Sequence, residues 1–504
     1  MPRHKSGSKP RFQGELIALL LFAALAALPL FIGSAQCAGF EHDEGLFFTV
    51  AKEAMNGKIL YRDIVDNKPP GLYFSLMPAV LACGNNVFCI RSIAAILNLV
   101  SAALLYLACR KHLSGLASLA PPVLYLLYSF AATNVFFRSE FVLGHLFALA
   151  FFLFSCAFDG RKTAFLLAAM PIAFGAWVKP AFPLLFVPAY LLLMHKKIIS
   201  RKEALDSLLV FIAASAALAI AFAPFSDYSA LISDSGGWFG SILAHLSATG
   251  IASFASYLFF FILLFGLVSL AAALDYGKSS AFEQLCAVVF ASYFIFAIVF
   301  KLFSLTYHFL LIPLFFPAFS LLAGSALSAS LRGASAWQES AARAFPIILG
   351  ICVSLAVVHG IIPTALDYYF STSHACPPCS LAMDSIRAMA NGSLYVYPSR
   401  AGYYFALNAS PFTPAIYHHE IFSSEIETTE WFQKEVVSPL VSRQPNVVLL
   451  FDDETSLINA SAAHQRYLYL AQTLSANYSL YPAPGCNGAQ AYVKNGIMPA
   501  PAAK

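Results

Sequence analysis

Charge is what this sequence has least of. Asp, Glu, Lys and Arg make up 11% of its 504 residues, where a soluble domain carries about 25%. A net charge of +4 gives no case for nucleic acid as a partner. No Walker loop, HExxH or EF-hand pattern occurs, which removes P-loop nucleotide chemistry, zincin-type hydrolysis and EF-hand calcium binding. Charge is scarcest inside a series of long apolar runs, whose centres are almost without Asp, Glu, Lys and Arg.

Those runs account for the 59% hydrophobic content. Many reach about 17–22 residues, enough to cross about 30 Å of hydrocarbon. Candidate spans fall near 16–36, 88–108, 114–132, 141–158, 163–178, 181–194, 206–224, 254–273, 284–300, 309–328 and 344–363. The expected architecture is therefore an all-α polytopic membrane protein of about eleven transmembrane helices. The stretch GLYFSLMPAVLA (71–82) is apolar but short, and reads as a helix lying in the interface or half-inserted. The chain also starts with a basic segment, an apolar run and SAQCAG, the order of a cleaved signal peptide. The run Leu16–Ile32 exceeds the usual h-region of about 7–15 residues, so a retained first span is the preferred reading.

The positive-inside rule orients the bundle. Arg3, Lys5, Lys9 and Arg11 place the N-terminus inside, and Arg110/Lys111, Arg161/Lys162, Lys196/Lys197/Arg201/Lys202, Lys278 and Arg332/Arg343 then also fall inside. An odd number of spans leaves residues 364–504 outside. Asn-x-Ser sequons at Asn391, Asn408, Asn459 and Asn477, and nowhere else, agree with that placement. So do Cys37, Cys83, Cys89, Cys376, Cys379 and Cys486. Cys83/Cys89 and Cys376/Cys379 are candidate disulfide pairs on an oxidising face; for Cys376-Pro-Pro-Cys379 a metal or redox site is the alternative.

Two domains follow. Residues 1–363 form the transmembrane domain, whose first external loop is 37–87. Residues 364–504 form a small extracytoplasmic α/β domain, with strands expected at SLYVY (393–397), NVVLLF (446–451) and QAYV (490–493). Helical segments are expected near Thr428–Glu430 and from Ser461 to Ala476. Nothing in this tail looks catalytic; docking an acceptor or covering the site are the roles it suits.

Acid gathers where the first span ends, in EHDEG (41–45). Apolar residues at helical spacing predict an amphipathic helix over about 44–56. Asn56-Gly57 closes it, and its apolar face rests on the membrane surface. Asp43 at or near its N-cap and Glu44 in its first turn suit capping and the helix dipole. Lys68-Pro69-Pro70 sets a cation on a rigid extended turn, where a lysine snorkelling to lipid phosphate is the plainer reading. Tyr61, Arg62 and Asp63 add polar groups. Other outside turns carry Arg138 and Glu140, Lys179-Pro180, and Lys301, Tyr307 and His308. Each alone is an ordinary interface anchor. Together they put carboxylates and cations on one rim, whereas a coupled transporter concentrates such groups near the midplane. A rim site suits an enzyme whose substrate keeps a lipid tail in the bilayer and a polar head at its surface.

The order Asp43-Glu44-Gly45, Ala51…Met55…Gly57, Tyr61-Arg62-Asp63 and Asn67-Lys68-Pro69-Pro70-Gly71-Leu72-Tyr73 resembles the first external loop of the GT-C glycosyltransferases. The resemblance is to the protein O-mannosyltransferase and aminoarabinose-transferase group, with its dolichyl-phosphate-mannose-type relatives. The Lys-Pro turn after the fifth span and the Tyr-His before a late span match that layout; the WWDYG signature of oligosaccharyltransferases is absent. The resemblance implies a membrane glycosyltransferase of the plasma membrane and cell envelope. It would move a sugar from a polyprenyl-phosphate donor to a hydroxyl of a protein, lipid or glycan on the outer face, with inversion. Asp43 then matches the catalytic base, and Lys68 a cation near the donor phosphate, joined by Lys179, Arg138 or His308. Tyr61, Arg62, Asp63, Glu140 and Tyr307 become substrate-binding candidates. Glu44 would orient Asp43, bind acceptor or sugar, or hold a divalent ion. No cofactor is required, and no pattern indicates a metal. The competing class is a polytopic transporter or flippase for lipid-linked or polar solutes.

Overall fold

The computed structural model describes, in the main, residues 42–113, 139–228, 280–289, 383–397, 402–411, 437–451, 469–482 and 489–497. The chain divides into two compact units. One comprises Met1–Ile32, Arg91–Ile220 and Gly236–Ala365; the other joins Gly33–Ile90 and Ala221–Ser235 to Leu366–Lys504. By contact, the first external loop thus groups with the C-terminal tail.

In the second unit, α1 (His42–Met55) and α2 (Pro70–Cys83) pack together, and α1 also packs on a short tail helix, Gly402–Ala406. Gly57 ends α1 with φ +93°. Its N–H bonds to the Ala54 carbonyl, and that of Lys58 to the Glu53 carbonyl. This is a Schellman closure, for which glycine is the residue without steric cost. The structure corrects the expected setting of this helix. Leu46, Phe47, Phe48, Val50, Ala51 and Ala54 are buried, and so are Glu44, Thr49 and Glu53. A helix enclosed on every side is a core helix and does not rest on a membrane surface. Pro69 is extended and Pro70 stands at the first helical position of α2, the place where a missing N–H costs nothing. Leu72, Tyr73, Leu76, Ala79 and Val80 form its buried stripe, while Leu81 is exposed.

The tail carries a five-stranded sheet in the order β2-β1-β3-β5-β4. Strands β1 (Ser393–Tyr397), β2 (Ser410–Pro411) and β3 (Val447–Phe451) run parallel; β5 (Ala489–Lys494) is antiparallel to both β3 and β4 (Tyr478–Tyr481). The three expected strands are present. Strand β3 is central and buried, which is why it reads as an unbroken apolar run. Tyr395, Tyr397, Val448, Leu450, Leu470, Leu474 and Tyr478 form the core on the sheet. Residues 469–474 are helical as expected, whereas Thr428–Glu430 and 461–468 lie outside the described residues.

In the first unit, three helices among the described residues are long and apolar enough to cross a membrane: Phe88–Cys109, Phe141–Asp159 and Arg201–Phe225. The expected spans 163–178 and 181–194 are shorter apolar helices, Lys162–Val178 and Phe182–His195. The remaining expected spans lie wholly or largely outside the described residues. Where lipid removes the hydrophobic drive between helices, close packing and neutral hydrogen bonds hold them. Phe154 meets Phe165, Phe186 and Tyr190 at ring distances of 5.4, 5.6 and 4.9 Å. Ser101 bonds to His145 Nδ1 at 2.6 Å, Tyr125 donates to Asn98 at 3.1 Å, and Tyr190 and Ser207 meet at 2.6 Å.

Gly175 is fixed by contact. A Cβ there would run into the ring of Phe182, which is itself 1% exposed. Gly175→Ala should therefore destabilise the protein by about 1–3 kcal/mol, the usual cost of overpacking. The measurement is the thermal midpoint of the full-length protein in detergent; an unchanged midpoint would show that the Phe182 ring has room to move.

Candidate active site at the first external loop

Helix α1 places the backbone of Asp43 and Glu44 in its first turn. Glu44 is fully buried and takes part in interactions within the protein. One turn of helix further on, Thr49 donates to the Gly45 carbonyl at 2.8 Å, which satisfies a hydroxyl that would otherwise be buried unpaired.

The far end of α1 is held by charge. Glu53 is 0% exposed. Its carboxylate meets Lys58 Nζ at 2.7 Å and accepts a hydrogen bond from Ser410 Oγ at 3.0 Å. Lys52 donates to the Ala409 carbonyl at 3.4 Å; burial lowers its pKa, and neighbouring Glu53 acts against that shift. Phe48 packs on Phe405 with ring centroids 5.2 Å apart, and Asn85, just past α2, donates to the Ala406 carbonyl at 3.1 Å. The tail segment 402–411 thus clamps the helix that carries Asp43 and Glu44.

The turn leading to Lys68 has its own internal order. Tyr61 lies in the left-handed region at φ +71°, uncommon for a residue with a bulky side chain. It is held there because its N–H bonds to Ile64 O and its buried phenol donates to the Lys68 carbonyl at 2.8 Å. Burial raises the phenol's pKa, and Asp66 nearby adds to the effect. Tyr73 lies beside Asp66 and the Lys68 backbone. Asp63 accepts both Arg62 guanidinium contacts at 3.0 Å and the Ile59 N–H at 2.9 Å. The Arg62 bonds, then the Ile59 N–H, hold its carboxyl at a pKa of about 2. Leu60 bonds to Phe225 O and Asp227 N–H, joining this turn to residues 225–227 of the same unit. Cys83 and Cys89 are disulfide-bonded; Cys376 and Cys379 lie outside the described residues.

The structure therefore gathers the helix start at Asp43 and Glu44 with Tyr61, Arg62, Asp63 and Lys68 in one unit. Lys179 stands at the C-terminal end of Ala169–Val178 in the other unit, its N–H bonded to Gly175 O. Glu140 is the second residue of Ser139–Ser155. Arg138, Tyr307 and His308 lie outside the described residues. Sequence reasoning passed over Glu53, Ser410 and Asp66. Only Asp66, one residue before Asn67-Lys68-Pro69-Pro70, left a local trace.

Glu53→Ala removes the acceptor of Ser410 and leaves Lys58, 33% exposed, without its partner. Breaking a buried pair costs about 3–5 kcal/mol, and the lower figure is expected here because Lys58 can reach water. Limited proteolysis of the full-length protein should show faster cleavage within 402–411; Glu53→Gln, which still accepts from Ser410, should be cleaved more slowly than Glu53→Ala.

No protein-family model and no curated protein matches the sequence. Solved structures do. Over 96% of this chain and 99% of the other, the fold is similar to ArnT from Cupriavidus metallidurans bound to undecaprenyl phosphate, at a TM-score of 0.53 and 13% identity. It is also similar to the oligosaccharyltransferase AglB from Archaeoglobus fulgidus in complex with an inhibitory peptide and a dolichol-phosphate. There the TM-score is 0.53 and the identity 12%, over 97% of this chain and 75% of that one. An Archaeoglobus fulgidus oligosaccharyltransferase tethered with an acceptor peptide gives 0.53 and 13%, over 95% and 74%. At such identities the likeness speaks for the fold alone: the chain shares the fold of these proteins, and its long apolar helices fit an integral membrane protein.

Proposed function

We propose that the protein is a glycosyltransferase that moves a sugar from a polyprenyl-phosphate donor to a hydroxyl acceptor on the extracytoplasmic face of the plasma membrane. The observation that carries this reading is the near full-length fold likeness to ArnT bound to undecaprenyl phosphate and to AglB bound to dolichol-phosphate. The placement of Asp43 and Glu44 at the start of a clamped helix supports it.

In the proposed reaction Asp43 takes the proton of the acceptor hydroxyl as its oxygen attacks the anomeric carbon from the face opposite the phosphate. The bond from the anomeric carbon to the phosphate oxygen breaks, and the electron pair leaves with the lipid phosphate. A glycosidase needs a second carboxyl to protonate its leaving oxygen. A phosphate oxygen is a weak base and leaves without one, so the need reduces to one base and nearby cations. Lys68 supplies a cation on a turn whose backbone Tyr61 holds; Tyr61 would thus act through that backbone. Arg138, Lys179 and His308 are the further candidates for the phosphate, Glu140 and Tyr307 for the sugar or acceptor. A general base contributes about 10²–10⁴-fold.

The outward orientation draws on the cation-rich segments assigned to the inside, the sequons confined to 391–477, and the Cys83–Cys89 disulfide, which suits an oxidising compartment. The count of about eleven spans is part of the same proposal.

Asp43→Asn should leave the stability within about 1 kcal/mol of the wild type, read as a nearly unchanged thermal midpoint, since it keeps the side chain's size and removes one charge from the first turn of a helix. Transfer of a radiolabelled sugar from polyprenyl phosphate by purified protein should fall by about 10²-fold or more. Unchanged transfer would sink the assignment of Asp43. Solute uptake or lipid flipping that persists in the variant, with no transfer by either protein, would mark a transporter.

A further inference from the structure

The first unit contains a cavity of about 700 Å³ between the end of Val187–His195, the start of Arg201–Phe222 and Lys162. Its lining combines the cations Lys162, Lys197 and Arg201 and His195 with apolar Leu191, Met194 and Ile198. Among the described lining residues the one carboxylate is already occupied. Glu203 pairs with Lys162 at 2.5 Å and accepts the Ser200 N–H at 2.7 Å and hydroxyl at 3.0 Å. Lys197 and Arg201 remain at the rim as exposed cations.

Two features show what such a rim would hold. Lys197 closes its helix in the left-handed region at φ +55°. Its N–H bonds to Met194 O, and that of Ile198 to Leu193 O. Glycine makes this closure without steric cost, so a lysine here keeps a positive charge at the mouth against the backbone's preference. Beyond Arg201, exposed Leu205, Leu208 and Ile212 follow at spacings of four, three and four residues, and so continue the face of Arg201 along a membrane-spanning helix. A cation therefore sits at the head of an exposed apolar track along a helix long and apolar enough to cross a membrane.

We propose that this cavity binds an anionic phospholipid, its phosphate head group on Lys197 and Arg201 and an acyl chain along Leu191, Leu205 and Leu208. Cationic pockets between membrane helices recognise lipid phosphates in this way. The assignment is independent of the glycosyltransferase reading and adds a lipid contact that the reaction does not use.

The test is native mass spectrometry of the full-length protein in a neutral detergent, titrated with dioleoyl-phosphatidylglycerol or with dioleoyl-phosphatidylcholine. The two lipids share their chains and differ in net charge. The wild type should retain the anionic lipid at least about tenfold more tightly. Each cation lost should weaken binding about fivefold, so the double variant Lys197→Gln, Arg201→Gln should lose about 25-fold. Lys197→Gly relaxes its own backbone and should fold at least as well as the wild type, yet lose about fivefold; this separates lipid binding from folding. Inorganic phosphate at millimolar concentration should not displace the lipid. Equal retention of the two lipids, unchanged binding in the variants, or full displacement by phosphate alone would overturn the proposal, the last by making the site one for a free anion.

Discussion

Glu53 sets a carboxyl group wholly inside the protein, and much of the second unit follows from how that group is accommodated. Removing a carboxylate from solvent costs several kcal/mol unless partners replace the water. Lys58, five residues away in the chain, supplies the opposite charge. Ser410, 357 residues away, supplies the hydroxyl. Satisfying one buried oxygen therefore requires the loop and the tail to fold together, and Phe48 on Phe405 adds packing to the same seam. The start of α1, where Asp43 and Glu44 stand, takes its position from this seam.

The membrane-spanning part solves the opposite problem, since there charge is kept out. Its helices meet through stacked rings, a glycine fitted under Phe182, and neutral pairs such as Tyr190 with Ser207. Among the described residues, charges at the helix ends include pairs such as Lys111 with Asp159 and Lys162 with Glu203, both at 2.5 Å. A bilayer imposes that distribution, because an ion near its centre is costly. The same distribution leaves the polar chemistry at the membrane surface, the depth at which a lipid-borne phosphate group lies.

Much of this was legible locally. Asn56-Gly57 marks the end of α1, Lys68-Pro69-Pro70 marks an extended turn followed by a helix, and NVVLLF marks a buried central strand. Each follows from a dihedral preference or a period that acts over a few residues. The setting of α1 was not legible. Its apolar spacing fits a surface helix, and nothing local marks Glu44, Thr49 and Glu53 as buried, as they are within the folded unit. Strand β2, two residues long, is too short to show a period, and Tyr61 in a left-handed conformation breaks the rule by which such positions are read.

By itself the sequence determined that this is a polytopic membrane protein, where its strongest helices and strands lie, and which loop gathers acid and base. Those properties depend on composition, period and proline placement, all of which act locally. Only the tertiary structure decided that the acid-bearing helix is enclosed, that residues 402–411 clamp it, and that Lys197 and Arg201 share a cavity with Lys162. The partner of a buried polar group, or the far wall of a cavity, comes from a distant part of the chain, and nothing in the local pattern specifies which part.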